Sequence, residues 1–127
     1  MGEEIFVMTT VFIVEDDKSI QLLYKKILDL VGFSVIGIAN NGAEAVEMFK
    51  VFNDKPDIIL MDHRMPVKNG IEATKEILKI HTSQKIIFAS ADKTVHEEAI
   101  AIGSVGFIDK PFSLERLVNK IKEIISF

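Results

Sequence analysis

Along this chain, continuous apolar runs alternate with segments in which apolar residues recur at helical spacing. Each change of pattern predicts a new element of secondary structure. A continuous apolar run at residues 10–14 predicts a buried strand. The next segment places apolar side chains at helical spacing and ends at Gly32, which is typical of a helix and its carboxyl cap. We expect the buried face of this first helix to carry Ile20, Leu23, Ile27, Leu30 and Val31.

Four further apolar runs follow, and a helical pattern comes after each. These strands are predicted at residues 34–39, 58–61, 85–89 and 105–108. Consecutive strands that are separated by helices are joined by crossover connections, which make neighbouring strands parallel. The predicted fold class is therefore α/β, a doubly wound five-stranded parallel sheet with helices on both faces.

The other four helices are predicted from their caps and from their apolar faces. The turn Asn40-Asn41-Gly42 begins the second helix, whose buried face we expect to carry Ala45, Met48, Phe49 and Phe52. The third and fourth helices are expected at about 71–80 and 95–102, and Gly103 ends the fourth. Ser113 caps the fifth helix, whose apolar stripe is Leu114, Leu117, Val118, Ile121, Ile124 and Ile125.

Composition limits the kind of protein this can be. The chain has 127 residues, of which 48% are apolar and 27% charged, as in ordinary globular proteins. We predict one domain over residues 1–127, with residues 1–8 as a lead-in that could be partly disordered. Because the chain has no cysteine, it has no disulfide, no thiolate metal site and no cysteine nucleophile.

The net charge of −4 gives no electrostatic reason to expect direct binding to nucleic acid or to an anionic membrane. The apolar run at residues 5–14 follows Glu3 and Glu4 rather than a basic leader, unlike a signal peptide. It is also too short to span a bilayer. We therefore expect a cytoplasmic protein.

Polar side chains follow four of the five strands at the point where each strand ends. They are Glu15, Asp16 and Asp17 after the first strand, Asp62 after the third, Ser90 after the fourth and Lys110 after the fifth. Parallel strands bring these side chains to one edge of the sheet, where ligands bind in folds of this class. Converging carboxylates repel one another unless a cation neutralises them, and oxygen ligands suit Mg²⁺. A cation, a hydroxyl and an ammonium around one carboxylate suit phosphoryl transfer to that carboxylate.

Four separated motifs together resemble the receiver domain of two-component response regulators. They are Val14-Glu15-Asp16-Asp17, Met61-Asp62-His63-Arg64-Met65-Pro66 with Gly70 after it, Ala89-Ser90-Ala91, and Lys110-Pro111-Phe112. The motifs occur in the family's order over about residues 9–127. The resemblance implies a CheY-like, flavodoxin-like three-layer sandwich with strand order 2-1-3-4-5.

The resemblance also implies the chemistry of the site. Asp62 would be the phospho-acceptor, attacking the phosphohistidine of a sensor histidine kinase or a small phosphodonor. Mg²⁺ would be bound by Asp16, by Asp62 and by the backbone carbonyl of Arg64, with Glu15 acting mainly through water. Such a domain is not a conventional enzyme, since it catalyses its own phosphorylation and dephosphorylation at Asp62.

Three further residues would respond to the phosphoryl group. By resemblance, Ser90 would bond one phosphoryl oxygen and Lys110 another. Phe107 occupies the family's aromatic switch position, which turns inward when Ser90 is drawn towards the phosphoryl group; its alternative role is that of a core aromatic. The bond between Lys110 and Pro111 is expected to be cis.

Five residues near these motifs have simpler expected roles. Asp17 would point away from the site and favour the amino end of the first helix. His63 is expected on the surface, because no second histidine stands nearby to share a metal. Gly70 is expected to occupy a positive-φ turn before the third helix. Arg64 and Asp92 would flank the route of an attacking water.

The leading hypothesis is a stand-alone receiver that presents an altered surface around the fourth helix, fifth strand and fifth helix. Its partners would be a sensor histidine kinase and a downstream effector or phosphotransfer protein. A phosphorelay intermediate that passes phosphate to a histidine-phosphotransfer protein, and a piece of a longer regulator, both stay open. An aspartyl-phosphate phosphohydrolase of the haloacid-dehalogenase type is disfavoured, because it wants an aspartate where this chain has Arg64.

Overall fold

Five parallel strands form one sheet in the order β2-β1-β3-β4-β5 in the computed structural model, which describes residues 8–125. The elements are β1 (Thr10–Val14), α1 (Lys18–Leu30), β2 (Ser34–Ala39), α2 (Gly42–Val51), β3 (Ile58–Asp62), α3 (Gly70–Ile80), β4 (Lys85–Ser90), α4 (Thr94–Ala101), β5 (Gly106–Asp109) and α5 (Leu114–Ile125). The predicted fold class and strand order are confirmed. Apart from Met8, the lead-in predicted at residues 1–8 lies outside the described residues.

The sheet separates two apolar cores, because successive side chains of a strand point to opposite faces. On one face, strand side chains such as Phe12, Ile59 and Phe88 pack against α2, α3 and α4. On the other face, Ile13 and Leu60 pack against α1 and α5. Within residues 8–125, none of the helices combines the length and the apolar character that a membrane crossing needs.

The predicted buried face of α1 was wrong, because the helix is rotated about its axis relative to the prediction and buries other residues. The helix buries Gln21, Tyr24 and Leu28, whereas Leu23, Leu30 and Val31 are exposed, Leu30 to 80%. Ile20 and Ile27 lie at the margin and are partly buried against the core. The amide of Gln21 turns inward because it finds hydrogen-bond acceptors there. The ring of Tyr24 turns inward because it stacks on Phe112, with ring centroids 6.0 Å apart.

The loop between β3 and α3 also differs from its prediction. Gly70 does not have positive φ; the residue with positive φ in this loop is Val67, at 71°. Glycine is required at position 70 for another reason, since a Cβ there would overlap the carbonyl oxygen of Asp62. The backbone N–H of Gly70 donates to the carbonyl of His63 at 3.0 Å. The amino end of α3 is therefore held directly against the end of β3.

Candidate functional site

A cavity of about 640 Å³ opens at the carboxyl edge of the sheet and brings most of the predicted site residues together. Its lining includes Glu15, Asp16, Asp62, Arg64, Ser90 and Lys110. The strand register accounts for this meeting, because it pairs Val14 with Met61 and Asp62 with Ala89. Phe107 is not part of the lining and lies in the core instead.

Asp62 and Lys110 form the central ion pair of the cavity. The Nζ atom of Lys110 donates to Oδ1 of Asp62 at 3.0 Å, and Asp62 is only 8% exposed. Burial raises the pKa of the Asp62 carboxyl above its usual range, although the charge of Lys110 opposes that rise. Burial would lower the pKa of Lys110, but the carboxylates of Asp62 and Glu15 attract its proton and the pKa is raised. The peptide bond between Lys110 and Pro111 is cis, as expected.

Three carboxylates face one another in this cavity. Oxygen atoms of Glu15, Asp16 and Asp62 lie within 4.8 Å of one another. Glu15 is buried, and its Oε1 lies 3.3 Å from Nζ of Lys110, while Asp16 is exposed. Burial raises the pKa of the Glu15 carboxyl, and the charge of Asp62 adds to that rise. One ammonium group does not balance three carboxylates, so this all-oxygen set fits a hard divalent cation such as Mg²⁺.

Ser90 and Asp92 shape the opposite wall of the cavity. The backbone N–H of Asp92 donates to Oγ of Ser90 at 3.0 Å, which leaves the serine hydroxyl hydrogen able to donate to a ligand. Asp92 itself accepts from the hydroxyl of Thr94 at 2.6 Å, and this bond lowers the pKa of Asp92. Arg64 reaches across the mouth to Asp92, with 3.7 Å between Nη2 and Oδ2.

Three ring contacts join Phe88, Phe107, His63 and His96. Phe107 is 8% exposed and packs between Phe88 and His96, with ring centroids 6.4 Å and 4.4 Å away. This location agrees with the alternative role predicted for Phe107, that of a core aromatic. The surface prediction for His63 was wrong, because its ring is half-buried 6.3 Å from that of Phe88. The ring contact with Phe88 accounts for this partial burial.

The predicted role of Asp17 at the amino end of α1 is confirmed, but Asp17 does not point away from the site, since it lines the cavity. Three residues near it were missed. Asp17 caps α1, with Oδ1 accepting from the backbone N–H groups of Ser19 and Ile20. The missed residues are Gln21, Tyr24 and Asn40, which support the site from behind. Burial raises the pKa of Tyr24 to about 12, although Lys110 opposes this. A polar residue that interrupts an apolar helical stripe was the only signal for Gln21.

Known proteins resemble this chain over nearly its whole length. The family model for the response regulator receiver domain matches residues 11–122. The chemotaxis protein CheY of Thermotoga maritima is 43% identical over 116 residues, which cover 90% of this chain and 95% of that protein.

Solved structures of CheY and of a receiver domain also resemble this chain in their fold. A chain of the CheX-CheY-BeF3-Mg²⁺ complex from Borrelia burgdorferi aligns with a TM-score of 0.88 and 25% identity, covering 94% of this chain and 90% of that one. The receiver domain of a sensor histidine kinase from Pseudomonas aeruginosa PAO1 has a magnesium ion coordinated in its active site cleft. It aligns with a TM-score of 0.81 and 26% identity, covering 92% of this chain and 97% of that one.

Proposed function

This chain belongs to the response regulator receiver domain family, and from that membership we propose that it accepts a phosphoryl group on Asp62 with the help of Mg²⁺. Members of the family are the receiver domains of two-component and chemotaxis response regulators, and this chain is one of them. The residue that is phosphorylated, the cation and the partners are the parts that we propose.

The observation that carries the proposal is the ion pair of Asp62 and Lys110 inside a cavity that also contains Glu15, Asp16 and Ser90. A buried carboxylate with a raised pKa is more basic than an exposed one and is therefore a better nucleophile. Lys110 is close enough to neutralise charge on the phosphoryl group that arrives. Positioning and charge neutralisation are the two contributions that phosphoryl transfer needs most.

The proposed step is an in-line displacement at phosphorus. A carboxylate oxygen of Asp62 forms the new bond to phosphorus as the bond from phosphorus to the histidine nitrogen of the kinase breaks. The leaving imidazole keeps the electron pair and takes a proton from solvent. Lys110 would donate to one phosphoryl oxygen, and the hydroxyl of Ser90 would donate to another.

Mg²⁺ would be held by Asp16, Asp62 and the backbone carbonyl of Arg64, with Glu15 acting mainly through water. The excess of carboxylates over ammonium groups in the cavity supports this assignment. When bound, the cation supplies positive charge to the phosphoryl oxygens and relieves repulsion among the carboxylates. The residues themselves then need only to hold their oxygen atoms in place.

The phosphorylated domain would act on partners through the surface formed by α4, β5 and α5, with Ser90 and Phe107 as the switch. We propose a sensor histidine kinase as the phosphodonor and a downstream effector or phosphotransfer protein as the recipient of the signal. A cytoplasmic location belongs to the same proposal, because the kinase's phosphohistidine must be within reach. We also propose that residues 1–127 form a single domain.

Intact-mass measurement on the full chain tests this function. With acetyl phosphate and Mg²⁺ we expect the gain of one phosphoryl group, and chelation of Mg²⁺ with EDTA should prevent it. Asp62→Asn should gain nothing, whereas Asp54→Asn, which changes an exposed carboxylate in a loop, should behave like the parent. A parent chain that stays unmodified with Mg²⁺ present would refute the proposal.

A further inference from the structure

Gln21 is a buried amide that faces the end of β1 from the first turns of α1. It is 6% exposed, and its Nε2 donates to the backbone carbonyl of Glu15 at 2.5 Å and to Oδ1 of Asn40 at 2.8 Å. Both hydrogens of the amide nitrogen are therefore used. A buried amide is costly without such bonds, so this side chain has one favourable orientation.

Asn40 is itself held in place, so that Gln21 is anchored from behind. The backbone N–H and the Nδ2 atom of Asn40 donate to Oε1 of Glu44 at 2.7 and 2.9 Å. The Nζ atom of Lys18 donates to Oδ1 of Asn40 at 2.6 Å. The result is a polar network that joins α1, the turn after β2 and the start of α2 to one carbonyl group.

That carbonyl belongs to the peptide unit that links Glu15 to Asp16. The unit is planar, so a hydrogen bond to its oxygen also fixes the direction in which Asp16 leaves the strand. Glu15 is held at its other atoms as well, because its N–H donates to the carbonyl of Ala39 at 3.0 Å and its Oε2 accepts from Asp17. Gln21 therefore completes the fixation of the acidic pair.

We propose that Gln21 is a positioning residue that orients the Glu15–Asp16 peptide and so presets the Asp16 carboxylate for a divalent cation. The inference rests on the proposed function, since it presumes that the cavity binds Mg²⁺. Gln21 does not touch the cation; it lowers the cost of binding by removing freedom from a ligand in advance. Partners of this kind that orient a metal ligand typically change metal affinity about 10- to 100-fold when they are replaced.

A matched pair of glutamine variants tests the inference. Gln21→Met keeps the length of the side chain and removes its hydrogen bonds. Gln84→Met is the control, because Gln84 is also buried and its Nε2 also donates to two carbonyls, those of Pro56 and Lys85, but at the amino edge of the sheet. Mg²⁺ binding to each full-length protein is measured by isothermal titration calorimetry, and folding is checked by circular dichroism.

We expect Gln21→Met to raise the Mg²⁺ dissociation constant about tenfold or more, and Gln84→Met to leave it within about twofold of the parent value. With saturating Mg²⁺, Gln21→Met should regain nearly the parent rate of phosphorylation by acetyl phosphate, as expected for a ligand that is misplaced but not lost. If Gln21→Met does not fold, Asn40→Ser replaces it, since this variant removes the Oδ1 atom that anchors Gln21 from behind and should raise the same constant.

Three outcomes contradict the inference in different ways. Equal Mg²⁺ affinity in the parent and in folded Gln21→Met would overturn it while leaving the proposed function intact. Equal weakening in both glutamine variants would overturn it by showing a general loss of stability instead. A parent chain that binds no Mg²⁺ would overturn the proposed function and this inference with it.

Discussion

The imidazole ring of His96 lies nearly parallel to the phenyl ring of Phe107, at 15° between planes and 4.4 Å between centroids. His96 is exposed on α4, whereas Phe107 is almost wholly buried. On its inner side Phe107 stacks on Phe88. The aromatic ring at the proposed switch position is thus enclosed between a surface ring and a core ring.

Removing the outer ring should loosen Phe107. We expect His96→Ala to reduce the free energy of unfolding by about 1 kcal/mol, the usual value of an aromatic pair beyond its buried area. His96→Phe should retain most of that stability, because it keeps a flat ring over Phe107. Urea unfolding measures the difference, and a His96→Ala variant as stable as the parent would show that the stacking contributes nothing.

The ion pair between Arg64 and Asp92 should prolong the life of the phosphorylated state. The two side chains span the mouth of the cavity, so Arg64→Ala opens a path for water to the phosphoryl group. The pair is exposed to solvent and its charges are screened, so we expect a modest effect, a decay about two- to fivefold faster than that of the parent. Decay of the phosphorylated mass after removal of acetyl phosphate gives the rate. Arg116→Ala, an exposed arginine on α5, should decay like the parent.

Stability without metal should depend on pH through Asp62 and Glu15. Their pKa values are raised in the folded state, so the folded protein binds protons more tightly than the unfolded chain does. That contribution is complete below the unfolded values of about 4 and is lost as the pH rises through the folded values. In EDTA at pH 7, Asp62→Asn should therefore be more stable than the parent by about 1 kcal/mol, or about 4 °C in Tm. The advantage should shrink towards pH 4; a constant or inverted difference would contradict the assignment.

Addition of Mg²⁺ should reverse that order at pH 7. A ligand that binds only the folded state stabilises it by about 2.7 kcal/mol at 100 times its dissociation constant. The parent should gain this stability, and Asp62→Asn should gain little because it lacks one of the proposed ligands. Differential scanning calorimetry with Mg²⁺ and then with excess EDTA checks both the gain and its reversal. Equal gains in the two proteins would place the cation elsewhere.

Replacing either of two glycines by alanine should reduce the stability of the fold, for a different reason in each case. Gly70→Ala introduces a Cβ that overlaps the carbonyl oxygen of Asp62, so we expect a loss of about 1–3 kcal/mol and slower phosphorylation. At Gly32 a Cβ would meet no described atom within 4 Å, but φ is 98°, which costs about 1–2 kcal/mol in a residue with a side chain. Gly32→Ala should therefore lose stability and keep the parent rate of phosphorylation.

The sheet and the residues at its carboxyl edge could be predicted because they depend on local signals. Apolar runs mark the strands and parallel strands share an edge. Asp62 and Ser90 are the last residues of β3 and β4, and Lys110 follows β5 directly. The resemblance then assigned a chemistry to that edge. The role of each residue there remains a prediction that the experiments above test.

Local signals failed where a distant partner decides the orientation of a side chain. Apolar spacing favoured Leu23 and Leu30 for the buried face of α1, whereas Gln21 is buried because its acceptors lie just after β1 and just after β2. In the same way, the requirement for Gly70 comes from the approach of α3 to β3 rather than from its own φ. Such requirements become visible only when the elements are assembled.

The two edges of the parallel sheet offer a practical route to observing this protein. The site lies at one edge, whereas the turn at Thr82 and Ser83 is exposed at the other, beyond the full length of β4, which is about 16 Å at 3.3 Å per residue. Because the chain has no cysteine, Ser83→Cys would provide a single thiol for a fluorescent or spin label. The label would report on the domain during phosphorylation without occupying the surface that binds the phosphoryl group.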